Sequence, residues 1–394
     1  MEKLHALCGS PPVEIRLWDG ASVGPSTEKG AIEIRDRSAL FRLLRQPEVA
    51  FGDLYSSGRL TVHGDLTQVL YLLMDAMGRR AGDTPRLLRW LWKDRGPRGS
   101  NEAAARGNIQ HHYDLGNDFY SLWLDRAAMQ YTCAYFESPD HTLEQAQLAK
   151  LEHVCRKLRL EPGQTVIEAG CGWGGLARYM ARQYGVRVRA YNISREQLAF
   201  AREKAQEEGL QDRVEYIEDD YRNISGRCDR FVSVGMLEHV GPRNYRALAQ
   251  VMRRSLHPEG LGLIHTIGRN KPAPLNGWTQ KRIFPGAYVP SVAELMQLFE
   301  AGPFSVLDVE NLRLHYARTL DHWLARFRAH RTEVVHRYDE AFARAWELYL
   351  AASSATFRSS GLQLFQVVFA PAGNNTLPND RRDLYCQPAA PKDV

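Results

Sequence analysis

Residues 166–175 read VIEAGCGWGG, with four glycines in the six positions from Gly170 to Gly175. Glycine weakens strands and helices alike, so such a cluster calls for a ligand that must approach the backbone. The run leaves an apolar, strand-like segment, and open α/β folds bind their ligands beyond such strand ends. No GK[ST] follows, which excludes a P-loop. A nicotinamide-binding GxGxxG loop would want an acid about 20 residues on. Asn192 stands there instead, at the end of AYNIS. Asp220 and Tyr221 follow a third strand-like run, where a carboxylate and a ring suit the amino group and face of an adenine. Gln197 opens the helical stretch after the second run, within reach of a ribose. Taken singly, each of these three is also an ordinary cap or solvated side chain.

The elements that would carry these residues follow from periodicity. Five apolar runs, 165–170, 186–193, 214–219, 230–235 and 261–268, alternate with helical segments. That is the pattern of a doubly wound, mostly parallel α/β sheet. FSVLDVENL (304–312) and LQLFQVVFA (362–370) would close its edge, with a long helical insertion between them. A helix over 142–160 is expected to stop at Pro162-Gly163. Upstream, 13–20 and 31–36 alternate as half-buried strands do, and 65–77 has helical spacing. The length of 394 residues suits two domains. The expected division is 1–78 as a smaller N-terminal α+β domain, 79–108 as a basic linker, 109–370 as the catalytic domain, and 371–394 as a disordered tail.

Composition bounds the class. The chain is 44% hydrophobic and 25% charged, as soluble globular proteins are. No apolar run approaches the ~20 residues of a bilayer-spanning helix. The opening MEKLHALCGSPP has no apolar signal core. The six cysteines form no CxxC pair, so they read as reduced cytosolic thiols. His111 and His112 find no further ligands at metal spacing, and no metal is expected. A net charge of +5 names no partner, and no nucleic-acid partner is expected.

The run ExGxGxGG resembles the strand-one motif of class I S-adenosylmethionine-dependent methyltransferases. More specifically, YDLGNDFYSLWLD (113–125), MQYTCAYF (129–136), CGWGGLARYMA (171–181), VSVGMLEHVGPRNY (232–245), LIHTIG (263–268) and LQLFQVVF (362–369) resemble signature blocks of the cyclopropane-fatty-acyl-phospholipid synthase family, in family order. The mycolic acid cyclopropane synthases are related. The N-terminal region is similar to the extra lipid-handling domain of the bacterial phospholipid enzymes. The resemblance implies S-adenosylmethionine as cofactor, held by Tyr131 and Thr132 at its amino-acid portion, by Glu168, Gly170, Gly172 and Gly174 at the loop, and by Gln197, Asp220 and Tyr221, with Trp173 as a wall.

It also implies a reaction. A cis double bond of a phospholipid acyl chain would take the sulfonium methyl, leaving a carbocation. A base would then remove a proton so that a cyclopropane ring closes. Such chemistry needs the reactants in line, water excluded, and a base that does not consume the cation. In this family that base is a bound bicarbonate, and the matching positions are Cys133, Glu238, His265, Ile267 through its backbone, and Tyr316. A histidine, a phenol and a thiol can donate to an anion. Glu238 would repel one, so it is read as accepting from the bicarbonate hydroxyl and steadying the cation. Cys155 and Cys228 are read as core packing.

Two positions depart from the pattern. Glu168-Ala169 stand where many relatives have Asp-Ile, and Asn192 replaces a threonine. The stretch 86–98 carries Arg86, Arg89, Lys93, Arg95 and Arg98 among Leu87, Leu88, Trp90, Leu91 and Trp92. It suits either an anionic membrane surface or a helix packed between domains. Cytoplasmic, peripheral attachment to the inner face of the membrane and a homodimer are what the resemblance implies. Alternatives are methyl transfer without ring closure, small-molecule methylation, and a non-catalytic lipid-binding protein.

Overall fold

The computed structural model describes residues 2–25, 29–80, 115–378 and 380–385. The stretch 86–98, His111 and His112 lie outside the described residues.

In the N-terminal part, β1 (Glu14–Leu17), β2 (Ser22–Val23), β3 (Ala31–Ile34) and β4 (Leu60–His63) form a four-stranded sheet in the order β2-β1-β3-β4. Helices Arg37–Arg45, Pro47–Ser56 and Leu66–Arg80 accompany it. The last runs two residues beyond the boundary expected at 78, so Arg79 and Arg80 are helical rather than linker.

A seven-stranded sheet follows, in the order β10-β11-β9-β8-β5-β6-β7. Its members are β5 (Thr165–Ala169), β6 (Arg187–Asn192), β7 (Val214–Glu218), β8 (Cys228–Val234), β9 (Leu256–Gly268), β10 (Phe304–Asn311) and β11 (Gln363–Pro371). β5 to β9 pair in parallel, and β11 pairs antiparallel with both β9 and β10. Burial explains which late strand lies inside. All of β11 but its last residue is buried, whereas every position of β10 is exposed or half-buried and it forms the edge.

The helix over Leu143–Leu158 carries a complete capping box, Thr142 with Gln145. It ends at Arg159 in the left-handed region, φ 49°, not at Pro162-Gly163 as expected. The helical insertion is three helices, Arg313–Ala329, Arg331–Arg337 and Glu340–Arg358. They and the N-terminal part share one apolar core. Polar contacts tie the N-terminal part to the rest of the chain. Arg344 donates to the Tyr55 and Leu60 carbonyls at 2.7 and 3.2 Å, and Arg282 pairs with Asp53 at 3.1 Å.

The tail expected to be disordered from 371 is tied down over much of its length. The Ala372 amide donates to the Pro303 carbonyl at 2.8 Å, Asn374 to that of Gly260 at 3.2 Å, and Arg381 pairs with Asp308 at 2.9 Å. Leu384 is buried. Residues 386–394 lie outside the described set.

Candidate active site

The glycine loop turns between β5 and the helix Gly175–Tyr184. The sequence reading assigned all its glycines to ligand approach, and the structure divides them. A side chain on Gly170 would lie 2.9 Å from Met236, and one on Gly174 would strike Tyr216, so both are small for packing. Gly172, at φ 53°, has open space where a side chain would stand. It is the position free for a ligand. Asn192, at the end of β6, braces this turn by donating to the Gly172 carbonyl (3.2 Å) and to Gln197 Oε1 (2.8 Å). Gln197 is buried and engaged through its carbonyl. Asp220 is also committed, accepting from the Arg222 amide at 2.9 Å and its guanidinium at 3.0 Å. The Tyr221 hydroxyl is buried without a hydrogen-bond partner among the described residues.

A second turn, residues 125–133, closes on the loop. Asp125 accepts from the amides of Ala128 and Gln130, both at 2.7 Å, and so holds Met129 at φ 51°, an uncommon backbone for a side-chain-bearing residue. Thr132 methyl packs on the open face of Gly235. Tyr131 lies among Trp123, Trp323 and Tyr120, its ring 5.2–5.4 Å from theirs, and its hydroxyl meets that of Tyr349 at 2.9 Å. Trp173 packs on Tyr120 and donates to Asn117 Oδ1 at 2.8 Å.

Lys150 pins this turn, and sequence reasoning missed it. It is wholly buried, donating to Gln130 Oε1 and, at 3.0 Å, to Thr132 Oγ1. The signal was available, since Lys150 lies four residues after Ala146 and four before Val154, on the helix's buried stripe. Burial pushes its ammonium down, against the opposing pull of the Asp125 and Glu168 carboxyls. Burial likewise pushes the Glu168 carboxyl up to about 8, against Lys150 and Arg178. Glu168 Oε2 has no partner among the described residues.

A raised carboxyl stabilises the fold below its unfolded pKa, and that contribution is lost as pH rises through about 8. The Glu168→Gln variant should therefore gain on the parent in Tm between about pH 6 and about pH 9. A thermal melt at each pH checks it; a gap that does not widen contradicts the assigned burial cost.

The five candidate base-site residues converge through strand register. His265 and Ile267 share one face of β9, and β8 ends beside them, Val234 opposite His265. Glu238, in the short helix after β8, accepts from the Ile267 amide at 2.6 Å through Oε1. The Ile267 carbonyl takes the Thr266 hydroxyl at 3.1 Å. Leu364 of β11 pairs with Ile267, and its carbonyl takes the Leu312 amide. The Leu312 carbonyl in turn accepts the Tyr316 amide (3.2 Å) and lies 3.9 Å from Cys133 Sγ. The Cys133 thiol donates nearer to hand, to the Ala134 carbonyl at 3.2 Å, and burial pushes it far up. It is a neutral thiol, not a nucleophile.

Glu238 Oε2 and His265 Nε2 are both buried without partners among the described residues. Gln366 lies 3.1 Å from His265 Nδ1. Its amide, donating there, leaves the proton on Nε2, turned away from β11. Burial holds His265 neutral, helped by the charges of Lys150 and Lys157, and raises the Glu238 carboxyl. Gln366 was the second residue missed; its signal is a polar side chain flanked by Leu364, Phe365, Val367 and Val368. Behind it, Glu310 is drawn down to about 2 despite burial, by His153 at 2.7 Å and Lys157 at 2.6 Å.

An aromatic wall lies in the core cluster against which Ile267 packs. Tyr316 meets Trp323 edge-on and Phe357 tilted, and Trp123 and Trp323 are fully buried. Buried polar atoms, an aromatic wall and an open glycine turn are features that suit a cationic nucleoside and an apolar acceptor. No metal-binding cluster occurs among the described residues.

Comparison with known proteins places the chain in a family. The family described as mycolic acid cyclopropane synthetase matches residues 100–367. A probable fatty acid methyltransferase of Pseudomonas putida is 35% identical over 95% of this chain and 96% of its own length. The cyclopropane-fatty-acyl-phospholipid synthase of Escherichia coli (strain K12) is 45% identical over 68% of this chain and 69% of its own. The crystal structure of mycolic acid cyclopropane synthase CmaA1 complexed with SAH and CTAB is 30% identical and superposes with a TM-score of 0.64, covering 67% of this chain and 98% of that one. With the family matched over most of its length and the sheet order and glycine turn in place, the chain belongs to the mycolic acid cyclopropane synthetase family and is a class I S-adenosylmethionine-dependent methyltransferase.

Proposed function

We propose that this enzyme adds a methylene to the cis double bond of an unsaturated phospholipid acyl chain and closes a cyclopropane ring, with bicarbonate as the base. The observation that carries this reading is the pair of buried, unpartnered atoms Glu238 Oε2 and His265 Nε2. An isolated buried carboxylate and imidazole are costly unless something bonds them. A small ion with one hydroxyl and charged oxygens would answer both: Glu238 Oε2 would accept a hydrogen bond from its hydroxyl, and His265 Nε2–H would donate to a charged oxygen.

S-adenosylmethionine, when bound, supplies an electrophilic methyl. The chain's own groups do the rest. Gly172 admits the ligand to the backbone, Asn192 holds the turn, and the 125–133 turn covers it. Trp323 and Tyr316 present ring faces that favour a cation by about 0.5–2 kcal/mol each and keep water out. Glu238 and His265 hold the base, with Tyr316 and Cys133 near by as uncharged neighbours. Peripheral attachment to the inner membrane face, and a homodimer, complete the proposal. No helix among the described residues is long and apolar enough to cross a membrane.

A second reading, methyl transfer without ring closure, is supported by the Pseudomonas relative, which matches the N-terminal part as well. Mass spectrometry of acyl chains separates the two. Enzyme, cofactor, bicarbonate and vesicles with a cis-monounsaturated phospholipid should yield a gain of one CH2 and loss of the alkene. The same mass with the alkene retained selects the second reading, and no mass change rejects both.

A further inference from the structure

The helix Arg37–Arg45 turns an unusual face outward. Ala39 is buried, and Leu40 and Leu43 pack on the core. Phe41 and Leu44 point the other way, 58% and 52% exposed. Every other outward residue of its last two turns is arginine, and the helix contains no acid. Arg37 lies 5.7 Å above the Phe41 ring, and Arg45 closes the helix. The helix's acidic cap, Asp36, is neutralised by Arg59.

The basic face continues onto the catalytic part. Arg42 and Arg282 share the single carboxylate of Asp53, at 3.2 and 3.1 Å, each half exposed, which leaves a net positive charge there. Lys281 lies exposed beside them. The same segment then dives inward. Ile283 is buried, and the Phe284 ring lies 5.6 Å from Tyr349, whose hydroxyl meets Tyr131 in the turn over the glycine loop. A line of side chains thus joins the apolar-basic surface to the aromatic wall.

We infer that this face docks on an anionic bilayer, with Phe41 and Leu44 in the acyl boundary and Arg37, Arg45, Arg42, Lys281 and Arg282 among the phosphates. Charge complementarity selects the occupant. Two large apolar side chains ringed by cations match an anionic lipid surface, where each basic residue gains roughly fivefold in partitioning. Docking there sets the segment that carries Phe284, whose ring lies 5.6 Å from Tyr349, on the lipid side of the aromatic wall. This inference deepens the phospholipid reading and rests on it.

The test uses full-length enzyme and leaves Arg42 and Arg282, which hold Asp53, intact. Phe41→Ser/Leu44→Ser and Arg37→Glu/Arg45→Glu are compared with the parent in co-sedimentation with phosphatidylglycerol-containing and pure phosphatidylcholine vesicles. Each double variant should bind the anionic vesicles at least tenfold less. Turnover on vesicles should fall in step, while turnover on detergent-dispersed phospholipid stays at the parent level. Unchanged vesicle binding in folded variants overturns the inference, as does loss only on charge reversal within 86–98. A change from dimer to monomer by light scattering with vesicle binding intact also overturns it, assigning the face to a second copy of the chain. If the parent turns over neither substrate, the phospholipid reading fails, and the binding assay still decides the docking face.

Discussion

Glu238→Gln or His265→Ala should lower turnover on vesicles by about 10²–10⁴-fold, the usual worth of a positioned acid–base group. S-adenosylmethionine binding should stay within a few-fold of the parent. The split follows from position. Both groups lie at the ends of β8 and β9, whereas the glycine turn leaves β5. Glu238→Gln keeps an acceptor for the Ile267 amide, so the fold is spared while the charge and the second acceptor change. His265→Ala removes the one donor that Gln366 orients. Single-turnover kinetics and cofactor titration check both together. Parent-like turnover in the two variants would remove them from the base site, and lost cofactor binding would make their role structural.

Lys150→Met should be the most damaging change in stability, costing about 3–5 kcal/mol, because removing one member of a buried charge set leaves the others uncompensated. Here the others are Asp125 and Glu168, both raised by burial and both lowered by Lys150. Gln130 and Thr132 also lose their donor. The turn that keeps Met129 in its left-handed backbone then loses its brace, so cofactor affinity should fall along with stability. Urea unfolding and cofactor titration measure the two effects. Adding Glu168→Gln should restore part of the loss, since the two sites are electrostatically coupled. A Lys150→Met protein as stable as the parent would mean that the lysine balances nothing.

The fold class was legible because its signals are local. β5, β6, β8 and β9 read as strands from their apolar runs, and the glycine turn stood out at the end of the first of them. The capping box at Thr142 marked a helix start for the same reason, since its partners are three residues apart. The order of the last two strands was not legible. β11 went inside and β10 to the edge through burial of both faces of one and not the other. The tail from 371 had a polar composition, yet bonds to Pro303, Gly260 and Asp308 tie it down, and composition carries no trace of such partners.

The candidate site divides along the same line. Residue types and motif order within the chain, read against a family resemblance, named Cys133, Glu238, His265, Ile267 and Tyr316. By itself the sequence determined an α/β sheet, a turn built for a ligand, and the family. Tertiary structure decided which glycine is open and which partners Lys150 and Gln366 brace. The physical reason is distance along the chain. Cys133 meets the Leu312 carbonyl across a separation of 179 residues, and His265 meets Gln366 across 101. Register and burial of charge arise only when such remote segments pack, and no periodicity within either segment encodes them.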